Sequence, residues 1–241
     1  FLNPTGAYKD RGSAVLASLL QSRGFQAAIE DSSGNAGASF AAYAARAGVH
    51  ARIFVPDTAS GPKRAQIGVY GAELALVPGP RSNAAQAVQK AAEDGAIYAS
   101  HAYLPFDLPG YATCTYEILD ELGRRMPGTV IVPTGQGGLL LGMKRGFDAL
   151  RIAKIEDGVG NQEWSPLMVA VQASACAPLW AVMRAGMEGM RFVTERPTRA
   201  AVTEVYGSPQ RSYESFEANS VSLLLGARDG ISYSIRPGSH S

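Results

Sequence analysis

The chain has 241 residues, of which 46% are hydrophobic and 18% charged, and its 22 Lys and Arg almost balance 21 Asp and Glu. Such a composition buries a sizeable core and excludes an intrinsically disordered chain. Near-neutrality provides no field for nucleic acid or an anionic membrane, and no apolar run approaches the ~20 residues of a membrane span, so neither partner is expected.

In chain order, Ser13 to Arg23 is rich in Ala and Leu and stops before Gly24, which predicts a helix. QAAIED reads as a short strand, SSGNAG as a turn, and ASFAAYAARAG as a helix closed by Gly48. HARIFVP is a strand ending at Pro56, GPKRAQIGVYG a helix and AELALVPG a strand. Ser82 is the expected N-cap of a helix over AAQAVQKAAEDG, and IYAS is a further strand. Pro109 to Arg125 predicts a helix, TVIVPTGQGG a strand and its loop, and Leu139 to Ile152 another helix. LMVAVQA and APLWAVMRAG add a strand and a helix; beyond Phe192 the pattern fades, with SVSLLLGARDGISYSI as a final helix and strand.

Continuous apolar strands alternating with helices predict an α/β fold of open, mostly parallel sheets covered on both faces. Two lobes are expected, residues 1–107 and 108–241, with the crossing somewhere between Gly79 and Pro109. The chain opens without Met, two residues before a dense motif, so residues preceding Phe1 are expected to be missing. No signal peptide is visible. Cys114 and Cys176 lack metal or disulfide spacing and fit a reducing cytoplasm, while His50, His101 and His240 are scattered, so no metal site is expected.

In parallel sheets, ligands sit where strands hand over to helices. Three such turns carry chemistry. TGQGGLLLG puts Gly135, Gly137 and Gly138 between a strand and a helical run, a nest of backbone N–H groups suited to a phosphate. It is neither a Walker loop, since no Gly-Lys-Ser/Thr follows, nor the dinucleotide fingerprint, since Leu140 replaces its third glycine. In SSGNAG, Ser32, Ser33 and Asn35 offer hydroxyls, an amide and free N–H groups to a carboxylate. Lys9 follows the turn of NPTGAYKDRG, where a positive helix end and partial burial disfavour an ammonium and leave an amine able to attack a carbonyl. Singly, these read as a tight turn, an N-cap and a surface charge; together they meet the needs of pyridoxal phosphate chemistry.

NPTGAYKDRG, SSGNAG and GQGGLLLG, in this order, resemble the fold-type II (tryptophan synthase β-like) family of pyridoxal phosphate enzymes, and within it threonine synthase and its relatives. AAYAARAGVHARIFVP, PKRAQIGVYGAEL and LPGYATCTYEILDELG are similar to that group as well, so that the resemblance covers roughly residues 1 to 190. It implies a cofactor, pyridoxal 5'-phosphate, lying in the cleft between the lobes. Lys9 would be the Schiff-base lysine and Asn35 would bond the ring hydroxyl. Ser32 and Ser33, with Asn35 beside them, would hold the substrate carboxylate, and the amides of Gly135, Gln136, Gly137, Gly138 and Leu139 the cofactor phosphate. Tyr8 stands where the family often has Phe, and Ala7 where it often has Ser. The partner of the pyridine nitrogen has no clear match; RPGSHS would offer Ser239, but Arg236 and Gly238 break the pattern.

The implied activity is that of a lyase in amino-acid metabolism, working by elimination and replacement, with O-phosphohomoserine converted to threonine. Lys63 and Arg64 are candidates for the substrate phosphate. The alternatives are a serine/threonine dehydratase or O-acetylserine sulfhydrylase of the same family, or a non-catalytic cofactor-binding or regulatory relative. The resemblance also implies a cytoplasmic homodimer acting on a small amino acid.

Overall fold

The computed structural model describes residues 2–153, 165–172, 177 and 179–183. Expectations about Cys176, Ser239, His240 and the closing helix and strand fall outside the described residues. The chain divides into two compact units, Phe1–Tyr111 and Ala112–Ser241.

The first unit alternates α1 (Lys9–Ser22), β1 (Ala27–Glu30), α2 (Asn35–Ala47), β2 (His50–Pro56), α3 (Gly61–Val69), β3 (Glu73–Val77) and α4 (Arg81–Glu93). The strands form a parallel sheet in the order β1-β2-β3, with Ile29 opposite Arg52 and Ile53 opposite Leu74. Side chains alternate across β2. Ile53 and Val55 join Leu16 and Leu20 of α1, Phe40 of α2 and Ile67 of α3 on one face. Phe54 meets Ala84 and Val88 of α4 on the other, with Ile29 beside it. Helices therefore cover both faces, as continuous apolar strands require.

Helix ends follow their chemistry. α2 closes on Gly48, whose φ of 72° is left-handed, and the N–H of Val49 donates back to the Ala44 carbonyl at 2.9 Å. α1 begins a full turn before the expected Ser13, because the Asp10 carboxylate ties its first turn to the preceding loop. Ser82 is not an N-cap: Pro80 occupies that position, and Ser82 lies inside α4, where the fixed φ of the proline has already set the helix entry.

IYAS is not a strand either. Only Tyr98 bridges to β1, opposite Ile29, through Ile29 N–H to the Ile97 carbonyl and Ala99 N–H to the Ile29 carbonyl, both 2.8 Å. This single bridge decides where a ligand can sit. The chain progresses outward from β1 to β3, then returns to the free side of β1. The gap between β1 and residues 97–101 is thus the topological switch point, beyond whose strand ends α/β sheets bind ligands.

A short 3-10 turn (Pro105–Asp107) leads into α5 (Leu108–Glu121), which crosses into the second unit and ends four residues before Arg125. Its start is pressed against α1. A Cβ on Gly12 would lie 2.8 Å from Cε1 of Tyr111 and 2.9 Å from Cγ of Asp107, and one on Gly110 would overlap the Arg11 carbonyl.

The second unit holds β4 (Thr129–Pro133), α6 (Gly138–Ile152) and β5 (Leu167–Val171), with β4 and β5 parallel and Ile131 opposite Val169. Val132, Leu140 and Met143 form one core cluster with Leu179, while Leu119, Phe147 and Leu150 form another. Among the described residues no helix is long and apolar enough to cross a membrane, and no group of three His, Cys, Asp or Glu could hold a metal.

Candidate active site

Lys9 is the first residue of α1 and half-buried. Its Nζ lies 5.3 Å from the centroid of the Tyr8 ring and 5.5 Å from that of Tyr111, two rings set 5.4 Å apart at 60°. Among the described residues the amine is ion-paired with no carboxylate, so rings rather than an anion form its immediate surroundings. The turn that delivers it is held by Asp10, which is 1% exposed and accepts from the Thr5 N–H at 2.7 Å and the Thr5 hydroxyl at 2.5 Å. Gly6 supplies the left-handed φ of 78° this turn needs.

The SSGN loop leaves β1 at the switch point. Its serines do not cap α2; Gly34 is the N-cap, with no side-chain bond. Instead the Gly34 N–H donates to the Ser32 hydroxyl at 3.2 Å, and the Ser32 N–H donates to Oε2 of Glu30 at 2.6 Å. Gly37 lies so close under the Ser32 carbonyl that a Cβ would overlap it. The first N–H groups of α2, lacking intrahelical acceptors, are left for an anion. Ser32 and Ser33 are half-buried beside them, and Asn35 is exposed.

Beneath this loop lies a set of buried acids and their partners. Glu30 and Asp31 are 1% and 5% exposed. Glu30 Oε1 is 2.5 Å from Nδ1 of His101. Asp31 accepts from the Tyr98 hydroxyl at 2.6 Å and pairs with Arg81 at 2.8 Å. Asp107, 3% exposed, accepts from the Tyr111 hydroxyl at 3.1 Å through Oδ2, while its Oδ1 is buried without a partner. Burial pushes the Asp107 carboxyl above its ordinary range, against the pull of the His101 and Lys9 charges and the Tyr111 bond. Burial likewise raises the phenols of Tyr111 and Tyr98, followed by the charges of Asp107 on the first and of Asp31 and Glu30 on the second. Contacts run from Lys9 through the Tyr111 ring to Asp107, and from His101 through Glu30 to the Ser32 amide, with His101 acting on Asp107 electrostatically.

A raised carboxyl in the folded state means that the native protein holds a proton the unfolded chain has released. The wild type therefore loses stability as pH rises from the ordinary Asp range, about 4, through the folded value. In Asp107→Asn this loss is absent. Urea midpoints should move in favour of the Asn variant across that window and stay parallel above it; a gap that closes with rising pH would contradict the assignment.

In the second unit the glycine loop follows β4. Thr134 is buried and fastened by its N–H to the Val171 carbonyl at 2.8 Å and by its hydroxyl to the Val132 carbonyl at 2.9 Å. Gln172 donates to the carbonyls of Thr134 at 3.2 Å and Gly135 at 3.4 Å, and is itself held by the Leu179 N–H at 2.9 Å. Gly137 is the N-cap of α6 with φ 94°, a left-handed geometry that suits glycine, and no side chain caps the helix. The leading N–H groups of α6 thus form a donor set with the right chemistry for a phosphate ester.

Lys9, Ser32, Ser33 and Asn35 thus belong to the first unit, and Gly135, Gln136, Gly137, Gly138 and Leu139 to the second. Sequence reasoning missed Asp10, Glu30, His101, Asp107, Tyr111 and Gln172. Glu30 and Asp31 carried a visible signal, two acids at the end of an apolar strand; His101 and Gln172 carried none.

The family model described as "Pyridoxal-phosphate dependent enzyme" matches residues 1–232. The chain belongs to that family. Pyridoxal 5'-phosphate is its cofactor, and the Lys9 amine and the glycine loop, neither paired nor capped by a side chain among the described residues, fit that group's aldehyde and phosphate. Threonine synthase of Methanocaldococcus jannaschii is 32% identical over 218 residues, covering 90% of this chain and 52% of the relative. Threonine synthase of a Synechocystis species is 35% identical over 179 residues, covering 73% and 45%. This member thus spans about half the length of those relatives. Among solved structures, a threonine deaminase from T.th. superposes with a TM-score of 0.69 at 24% identity, covering 90% of this chain and 66% of that one. Serine racemase from Dictyostelium discoideum gives 0.68 at 19%, covering 89% and 64%. At such identities these two speak for the fold alone, an α/β arrangement of parallel sheets covered by helices.

Proposed function

We propose that this protein is a pyridoxal-phosphate-dependent lyase acting on an amino acid, and that its reaction is that of a threonine synthase, O-phosphohomoserine to threonine. The observation that carries the proposal is the Lys9 amine, presented at the head of α1 between two tyrosine rings and in direct ion-pair contact with no acid among the described residues. The substrate is inferred from relatives named threonine synthase at 32% and 35% identity.

In this reading Lys9 would hold the cofactor aldehyde, Asn35 its ring hydroxyl, and the N–H groups from Gly135 to Leu139 its phosphate. When bound, the cofactor supplies an electron sink for negative charge at the substrate α-carbon. Lys9 takes the α-proton, and the ring faces of Tyr8 and Tyr111 exclude water and stabilise the ammonium that results. Ser32, Ser33 and the first N–H groups of α2 hold the substrate carboxylate. Arg64, half-buried in the first turn of α3, is the candidate for the substrate phosphate together with Lys63. Gln66 of the same helix donates to the Thr5 carbonyl at 3.4 Å, which draws α3 toward the turn that delivers Lys9. A cytoplasmic homodimer, divided into lobes at about residue 107 with the cofactor between them, belongs to the same proposal.

The test is a comparison of substrates. O-phosphohomoserine should yield threonine and phosphate with kcat/KM at least tenfold above that for serine, threonine, or O-acetylserine with sulfide. Keto acid and ammonia as main products would make the protein a dehydratase instead, cysteine a sulfhydrylase, and bound cofactor with no turnover a binding protein.

A further inference from the structure

We propose that Glu30 and His101 are positioning residues whose mutual contact holds the Ser32 loop in the arrangement that receives the substrate carboxylate. The inference rests on the reading of this loop as the carboxylate site. Glu30 ends β1, and His101 lies on the segment bridged to the other side of the switch point by Tyr98. The Glu30 carboxylate spans that gap: one oxygen takes the Ser32 N–H at 2.6 Å, the other lies 2.5 Å from Nδ1 of His101.

Of the two donors of Ser32, one is then spent. Its N–H is spent on Glu30, its carbonyl lies over Gly37, and its hydroxyl oxygen accepts from Gly34. The hydroxyl proton alone is left to donate to a ligand. Glu30 thereby sets the direction in which Ser32 can bind.

Charge gives the pair its second role. The loop must receive an anion above three buried carboxylates, Glu30, Asp31 and Asp107. Each has a basic group near it: the His101 ring at Glu30, Arg81 at Asp31, and Lys9 and His101 acting on Asp107. The other ionisable groups facing Glu30 are the phenols of Tyr98 and Tyr111. Without the His101 ring beside it, the buried Glu30 carboxylate would lack its partner and repel the incoming carboxylate, and that repulsion is strong where water is excluded.

The experiment is a charge-rescue cycle on the full protein loaded with pyridoxal phosphate, using L-alanine as probe and the change in cofactor absorbance as the binding signal. His101→Gln should weaken L-alanine binding tenfold or more. Glu30→Gln keeps an oxygen for the Ser32 N–H, so the double variant Glu30→Gln/His101→Gln should regain most of that loss. A second readout needs no cofactor: amide hydrogen exchange at residues 32–34 of the unloaded protein should quicken in Glu30→Ala and stay slow in Glu30→Gln. A double variant no better than His101→Gln, or single variants that bind like the wild type, would overturn the pair's role while leaving the loop as the carboxylate site. A wild type whose absorbance is indifferent to L-alanine would overturn the reading of the loop, and the pair's role with it.

Discussion

Lys9→Ala is expected to abolish the visible absorbance that reconstitution with pyridoxal phosphate gives the wild type, and to lower turnover by at least 10²-fold, within the ~10²–10⁴ that a positioned general base contributes. Among the described residues of the first unit, Lys9 is the amine placed between two aromatic faces at a helix start, and it forms no ion pair with a carboxylate. Lys9→Arg separates charge from nucleophilicity: it keeps a cation between Tyr8 and Tyr111 but offers no amine for a carbonyl. Both variants should fold, since Lys9 makes no hydrogen bond in the core among the described residues, and their near-ultraviolet spectra should match the wild type. An Arg variant that retained the absorbance would show that another group carries the cofactor.

Gly110→Ala should be among the most damaging single changes in stability, costing about 3 kcal/mol or more, at or above the top of the range for overpacked cores. The added methyl has nowhere to go. It would overlap the Arg11 carbonyl and come within 2.7 Å of the Gly12 amide, and both are backbone atoms of α1 that no rotamer change can move. Separating α1 from the start of α5 would also lift Gly12 off Asp107 and Tyr111, and so disturb the slot around Lys9. Urea denaturation measures the effect. Gly128→Ala is the control: it sits before β4 with open space around it, and its midpoint should stay close to the wild type. An equal loss in both variants would show that the cause is glycine flexibility rather than the close approach.

Much of the fold was legible because its signals are local. Gly24 and Gly48 mark helix ends in sequence as they do in space, and the apolar runs HARIFVP and TVIVP form strands, the first of them largely buried between helices. The starts of helices were harder. α1 begins at Lys9 because Asp10 reaches back to Thr5, a bond that exists only once the turn is made. Ser82 had the right chemistry for a cap, but Pro80 already occupied the position. The three motifs around Lys9, Ser32 and Gly137 announced themselves by composition. Their supports did not: Glu30 meets a histidine 71 positions away, and Gln172 secures a loop 37 positions behind it. No pattern of spacing reveals a partner brought in by the return of the chain across a sheet.

That return has a consequence for motion. The backbone of the segment after α4 meets β1 by two hydrogen bonds at Ile29, beside the side-chain contacts Tyr98–Asp31 and His101–Glu30, whereas β1 and β2 are joined along four paired residues. Sub-global opening begins where the fewest bonds must break, so this edge should part from the sheet well before the sheet itself unravels. It carries Ser100 and His101 with it, and so the same weak seam that completes the binding crevice is its natural door.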